Sequence, residues 1–219
     1  MIRAVIFDMD GVLIDTIDAH FHAWQKYMEV KGFNNYSREL FNIGMGRQTR
    51  ELLKDFKKKL GLNITDIEKD TLLKESLIDV NEISPFPGVF ETLTLLKKKF
   101  KLSLATSSIG VDLDDRRNRY NLNHYFDAFT CSDEVKLSKP HPEIFLKAAE
   151  KVNIPAIECV VIEDAVSGII AAKKAGMKAI ALTTTFHKDK FEEMDTEFRP
   201  DLILNNIIEL PGAIEKINS

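Results

Sequence analysis

The run Val5-Ile6-Phe7-Asp8-Met9-Asp10-Gly11 ends an apolar stretch in two carboxylates one residue apart, with a glycine directly behind them. Asp10-Gly11 alone is ordinary turn chemistry. Asp8 is not, because a carboxylate abutting a buried apolar strand must be paired, hydrogen-bonded or metal-bound. Two like charges this close push one pKa upward unless a cation shares the site, and Mg²⁺ is the hard, oxygen-seeking ion that fits. A second acidic pair, Glu163-Asp164, ends the apolar run Cys159 to Ile162 and supplies further oxygens, although Asp164 is equally placed to cap the helical pattern starting at Ala165.

Two more segments follow strands in the same way. Thr106-Ser107-Ser108 closes the run Lys101 to Ala105 with three hydroxyls and three backbone amides suited to phosphate oxygens. Lys139, between Ser138 and Pro140, is a point charge able to neutralise a phosphoryl group or an aspartate. Taken singly, a loop hydroxyl is commonplace and a loop lysine is most simply a solvated charge. Together they carry Asp, Asp, Thr, Lys, Glu and Asp to what would be one end of one parallel sheet.

The elements that must position them follow from the apolar pattern. Strands are predicted at Ile2 to Phe7, Lys101 to Thr106, Ala128 to Cys131, Cys159 to Ile162 and Lys178 to Leu182, with Asp201 to Leu204 a weaker sixth. Beyond residue 85 they alternate with helical spacing at Val89 to Lys99, Pro142 to Val152 and Ala165 to Ala175, the last closed by Gly176. Strand-helix alternation predicts a doubly wound parallel α/β sheet. Between Asp15 and Ser84 there is no β-rich run, and helices are expected at Asp18 to Lys31, Gln48 to Leu60 and Asp66 to Asn81. The expected organisation is an α/β core of residues 1–14 and 85–219 with an inserted helical cap of residues 15–84, hinged near Ile14 to Thr16 and at Ser84-Pro85-Phe86-Pro87-Gly88.

Composition narrows the class. The chain of 219 residues is 44% apolar and 29% charged, enough for one sizeable core or a core with a small satellite. Thirty basic against 34 acidic side chains give a net charge of −4, without the basic excess that drives binding to a phosphate backbone, so no nucleic-acid partner is expected. The first acidic residue, Asp8, leaves only Met1 to Phe7 for a signal core. No later apolar run approaches the roughly 20 residues of a bilayer span. A cytoplasmic protein with no membrane partner is expected. Cys131 and Cys159 lie in apolar runs and read as small buried hydrophobes, with no CxxC spacing for zinc.

Asp8-Met9-Asp10-Gly11-Val12, Thr106, Lys139 and Glu163-Asp164, in this order and spacing, resemble the four motifs of the haloacid dehalogenase superfamily of phosphotransferases, and the inserted helices resemble its small helical cap subclass. The resemblance implies that Asp8 attacks phosphorus and forms an aspartyl phosphate. Asp10 then protonates the leaving oxygen and activates the incoming nucleophile. Thr106 and Lys139 hold the phosphoryl group, with Ser107 beside them as a substrate contact. Asp8, the Asp10 carbonyl and Asp164 bind Mg²⁺, and Glu163 joins them as in the mutase branch.

Within the superfamily the chain is similar to the β-phosphoglucomutase-like and sugar-phosphate phosphatase branch, through His20, Trp24 and the stretch Gly44-Met45-Gly46-Arg47. In the mutase the matching histidine and arginine touch the acid/base aspartate region and the distal phosphate. A histidine on a helix face beside Trp24 and an arginine near a helix start explain the same residues without function. After the second-motif hydroxyl, however, the mutase carries Lys-Asn where this chain has Ile109-Gly110. Losing that cation removes an anchor for a bisphosphorylated intermediate, so hydrolysis of a small phosphorylated metabolite, a sugar phosphate, is the expected reaction, with mutase chemistry as the alternative and a monomer or weak homodimer as the expected state. A phosphoacceptor receiver module uses similar residue types, but its acceptor follows a later strand and it has no cap. Gly44-Met45-Gly46 lacks the third glycine of a dinucleotide fingerprint, and no P-loop motif is present.

Overall fold

The computed structural model describes residues 1–45, 47 and 49–218. Six strands form one sheet: Ala4–Phe7 (β1), Lys101–Ala105 (β4), Ala128–Thr130 (β5), Cys159–Glu163 (β6), Lys178–Leu182 (β7) and Leu202–Leu204 (β8). Their order is β5-β4-β1-β6-β7-β8 and every pairing is parallel. Helices cover both faces of such a sheet, which is why β1 and β6 read as unbroken apolar runs and every residue in them is buried. From β1 the chain winds first toward β4 and β5, then crosses to β6, β7 and β8. The strand order therefore reverses around β1, and open α/β sheets bind ligands beyond the carboxyl ends of strands at such a switch point.

The chain divides into two units, Met1–Ile14 with Pro85–Ser219, and Asp15–Ser84. At the crossings, Ile14–Asp15 (β2) and Ser84–Pro85 (β3) form a two-stranded sheet. The first unit has a core of strand and helix residues that includes Ile6, Phe145, Val161, Ile169 and Phe191. Its helices are Val89–Lys97 (α5), Gly110–Arg119 (α6), Glu143–Lys151 (α7), Val166–Lys174 (α8), the single turn Asp189–Glu192 (α9) and Leu210–Asn218 (α10). The second unit is helical, with Ile17–Val30 (α1), Arg38–Gly44 (α2), Thr49–Leu60 (α3) and Ile67–Ser76 (α4) around an aromatic core of Trp24, Tyr27, Tyr36, Phe41 and Phe56. Among the described residues no helix is long and apolar enough to cross a membrane.

Several elements differ from the sequence expectation. The helix expected over Asp66 to Asn81 stops at Ser76, and Val80–Glu82 forms a separate 3₁₀ turn capped by Asp79, whose carboxylate accepts from the Asn81 amide at 2.9 Å. A short acidic side chain bonding the backbone two residues on competes with helix continuation. Helices α2, α6, α9 and α10 have no counterpart in the expectation. In α6 only Leu113 and Arg116 are buried, so its sequence carries almost no apolar period. The expected helix start at Gln48 lies outside the described residues, as does Gly46.

Candidate active site

Strand β1 ends at Phe7, opposite Leu104 of β4 and Ile162 of β6. The parallel register therefore delivers Asp8, Thr106 and the Glu163-Asp164 pair to neighbouring positions at one edge. The Asp8 amide donates to the Ile162 carbonyl at 3.0 Å and the Thr106 amide to the Thr130 carbonyl at 3.0 Å, so both residues are still held by the ladder. Lys139 comes from the loop before α7. Its Nζ donates to Asp8 Oδ1 at 2.7 Å and to Glu163 Oε1 at 2.8 Å, and its side chain is only 7% exposed. The ammonium also lies 4.8 Å from the centre of the Phe145 ring. The simple reading of Lys139 as a solvated loop charge does not describe this side chain.

Asp8, Glu163 and Asp164 are all buried, and each offers a carboxylate oxygen within 4.8 Å of the others. Burial pushes the Asp8 pKa up to about 7; Lys139 pulls it back, while Glu163 and Asp10 add to the rise. Asp164 is raised well above its ordinary value by burial first and then by Glu163 and Asp8. Burial also raises Asp10, against a hydrogen bond from Ser108 Oγ to Asp10 Oδ2 at 3.0 Å. For Lys139 burial works toward a lower pKa, but Asp8 and Glu163 outweigh it and hold the ammonium charged. Four acids around one lysine leave surplus negative charge, and an all-oxygen donor set of this kind fits a hard divalent cation.

The oxygens are not all equally available. Glu163 uses Oε1 on Lys139 and Oε2 on the Ala165 amide at 2.6 Å, so its carboxylate anchors the lysine and the start of α8. Gly168 makes room for it, since a Cβ there would fall within the Glu163 carboxylate. Asp8 keeps Oδ2 beyond its bond to Lys139, and Asp164 keeps Oδ1 beyond its bond from Thr185. Thr106 is fully buried and its Oγ1 accepts from the Ser108 amide at 3.0 Å, whereas Ser107 is exposed on the loop.

The structure thus brings Asp8, Asp10, Thr106, Ser107, Lys139, Glu163 and Asp164 to one sheet edge within the α/β unit. His20 and Arg47 belong to the helical unit. His20 Nδ1 is hydrogen-bonded with Lys74 Nζ at 2.7 Å. Lys74 is itself buried, beside Glu75 at 3.3 Å and 5.4 Å from the Trp24 ring centre. Arg47 is exposed and pairs with Asp55 at 2.9 Å and Glu51 at 3.9 Å. Sequence reasoning missed Lys74 and the bond from Ser108 to Asp10. It also missed Thr183-Thr184-Thr185, although three hydroxyls directly behind the apolar strand β7 are the same kind of signal as Thr106-Ser107-Ser108.

A parallel sheet with a buried acid-lysine cluster at its switch point is the core of an α/β enzyme built for group transfer. The profile of haloacid dehalogenase-like hydrolases matches residues 5–182. The chain belongs to that family. It is 37% identical over 181 residues to the phosphorylated carbohydrates phosphatase of Thermotoga maritima, covering 81% of this chain and 83% of that protein. It is 31% identical over 199 residues to the beta-phosphoglucomutase of Bacillus subtilis, covering 82% and 83%. Among solved structures, a haloacid dehalogenase-like protein of Agrobacterium tumefaciens superposes with a TM-score of 0.83 at 23% identity, covering 100% of both chains, a likeness of fold.

Proposed function

We propose that this protein is a Mg²⁺-dependent phosphoric monoester hydrolase that releases phosphate from a small sugar phosphate through an aspartyl-phosphate intermediate on Asp8. The observation that carries the reading is the Lys139 ammonium bridging Asp8 Oδ1 and Glu163 Oε1, which joins segments 131 and 24 residues away in one buried cluster. An aspartate fixed by a neighbouring ammonium is oriented for attack on phosphorus through one carboxylate oxygen while the other is shared with the cations of the site. The new P–O bond forms as the ester bond breaks, and Asp10 donates its proton to the departing sugar oxygen. Asp10 then takes a proton from the water that attacks the acyl phosphate, returning Asp8 and freeing phosphate. The upward shift of Asp10 suits a group that must first carry a proton. Thr106, Ser107 and Lys139 receive the phosphoryl oxygens.

Asp8, Asp164 and the Asp10 carbonyl are the proposed Mg²⁺ ligands, with Glu163 at the margin of the set because both its oxygens are engaged. When bound, Mg²⁺ supplies a hard positive charge that offsets the charge of the transferring group. Sugar phosphates are supported as substrates by relatives named phosphorylated carbohydrates phosphatase, fructose-1-phosphate phosphatase and hexitol phosphatase B. His20 and Arg47 are assigned to substrate binding on the family resemblance. The cytoplasm is the proposed place of action, resting on the sequence reading. Ile109-Gly110 favours water over a second sugar phosphate as acceptor.

The test is a panel of phosphate esters assayed for phosphate release with Mg²⁺, containing β-glucose 1-phosphate, fructose 1-phosphate, a hexitol phosphate and p-nitrophenyl phosphate. Phosphate release from the sugar esters is the expected result. Clean conversion of β-glucose 1-phosphate to glucose 6-phosphate without phosphate release would show a mutase instead.

A further inference from the structure

Directly after β7, Thr183, Thr184 and Thr185 each spend a hydroxyl on a different strand end. Thr183 Oγ1 donates to Asn205 Oδ1 beyond β8 at 3.3 Å, Thr184 Oγ1 to the Gly11 carbonyl beyond β1, and Thr185 Oγ1 to Asp164 Oδ2 beyond β6. The Thr183 amide also donates to the Leu204 carbonyl at 3.0 Å, so the loop is tied down at its base. The second and third of these bonds fall on the two turns that carry the proposed metal ligands. Gly11 has φ +78°, a left-handed conformation that glycine adopts without strain. A Cβ at Gly11 would enter the Asp164 carboxylate and lie 2.8 Å from Thr185 Oγ1. Asp164 Oδ2 is therefore enclosed between Gly11 and Thr185, and Oδ1 is the oxygen left to face a cation.

We propose that Thr185, and to a smaller degree Thr184, are positioning residues for the divalent-cation site: Thr185 fixes the rotation of the Asp164 carboxylate so that Oδ1 is presented, and Thr184 fixes the Asp10-Gly11 turn whose Asp10 carbonyl is the neighbouring ligand. The inference rests on the Mg²⁺ reading of the site. A carboxylate that turns about Cβ–Cγ on a side chain that itself turns about Cα–Cβ samples, without that hydroxyl, orientations in which neither oxygen is aimed. Hydrogen-bond partners behind metal ligands typically contribute about 10–100-fold in affinity. The hydroxyls touch neither substrate nor reacting atoms, so their effect is expressed through the ligands they hold.

The experiment is calorimetric titration of Mg²⁺ alone into the metal-stripped full chain, with no substrate present. Thr185→Val, which keeps the shape and removes the hydroxyl, should weaken Mg²⁺ binding by about 10–100-fold. Thr185→Ser, which restores the hydroxyl, should stay within about threefold of wild type, and Thr184→Val should fall between them. Thr183→Val serves as the control, because its partner Asn205 holds no proposed ligand, and its affinity should be unchanged. Melting in EDTA checks that each variant is folded; if Thr185→Val is not, Thr185→Ala against Thr185→Ser makes the same comparison. Wild-type affinity in folded Thr185→Val or Thr185→Ala, or equal weakening in Thr183→Val, overturns the assignment while leaving the Mg²⁺ site standing. A wild-type protein that binds no Mg²⁺ overturns the metal site and this inference together.

Discussion

The two edges of the sheet treat their carboxylates in opposite ways. At the amino edge, Asp127 and Asp201 precede the outer strands β5 and β8, and each repeats the same clamp on the neighbouring strand. Asp127 accepts from the Leu102 amide at 2.9 Å and from Lys101 at 3.1 Å; Asp201 accepts from the Ala179 amide at 2.8 Å, Lys178 at 2.8 Å and Lys173 at 2.9 Å. Burial opposes their ionisation, but these donors outweigh it and hold both acids below their ordinary pKa. At the carboxyl edge, burial wins over Lys139 and drives Asp8, Asp10 and Asp164 upward. Satisfied acids at one end fasten outer strands to the sheet. Under-compensated acids at the other store the charge imbalance that a cation and a phosphoryl group can use.

The sharpest way to break this contrast is to neutralise one acid at each edge. Asp8→Asn should lower turnover on the order of 10⁴-fold or more while leaving the circular dichroism spectrum unchanged, because an amide keeps the size but cannot attack phosphorus. Phosphate release at the wild-type rate would remove Asp8 from the mechanism. EDTA should abolish activity and added Mg²⁺ restore it, read in the same assay.

The pH dependence should have opposite signs at the two edges. In EDTA, the folded protein holds the Asp8 proton up to about pH 7, against an ordinary value of 3.8. The stability this contributes is complete below the ordinary value and is lost as pH rises through about 7. The rise in Tm on adding Mg²⁺ should therefore grow as pH increases through that range. Asp201 behaves inversely: its contribution is present above the ordinary carboxylate value and disappears as pH falls through its depressed folded value. Asp201→Asn should cost about 1–2 kcal/mol near neutral pH, allowing for solvent screening, and should flatten the acid limb of a Tm-versus-pH curve. Asp127→Asn, at the more exposed of the two clamps, should cost about 1 kcal/mol or less by urea denaturation. Neither amino-edge variant should change Mg²⁺ affinity.

The sequence by itself determined the sheet strands to within a residue or two at their ends, because a strand buried on both faces must be apolar throughout and the turns between strands need glycine, proline or short polar residues. It also singled out the strand-edge acids, since a charge directly behind a buried strand demands a partner. It did not reveal α6, whose ten residues include only two that are buried, or the end of α4 at Ser76 and the separate turn beyond it that the Asp79 carboxylate caps. Nor did it show that Glu163 has both oxygens occupied, that Lys139 is buried rather than solvated, or that Thr185 lies on Asp164. Each of these depends on partners brought together by the parallel register and the crossover at β1. Local pattern reports what a side chain is and which way its strand or helix turns it; only the packed sheet decides which donor reaches which oxygen, and the tilt between burial and pairing that sets the charge of each acid follows from that.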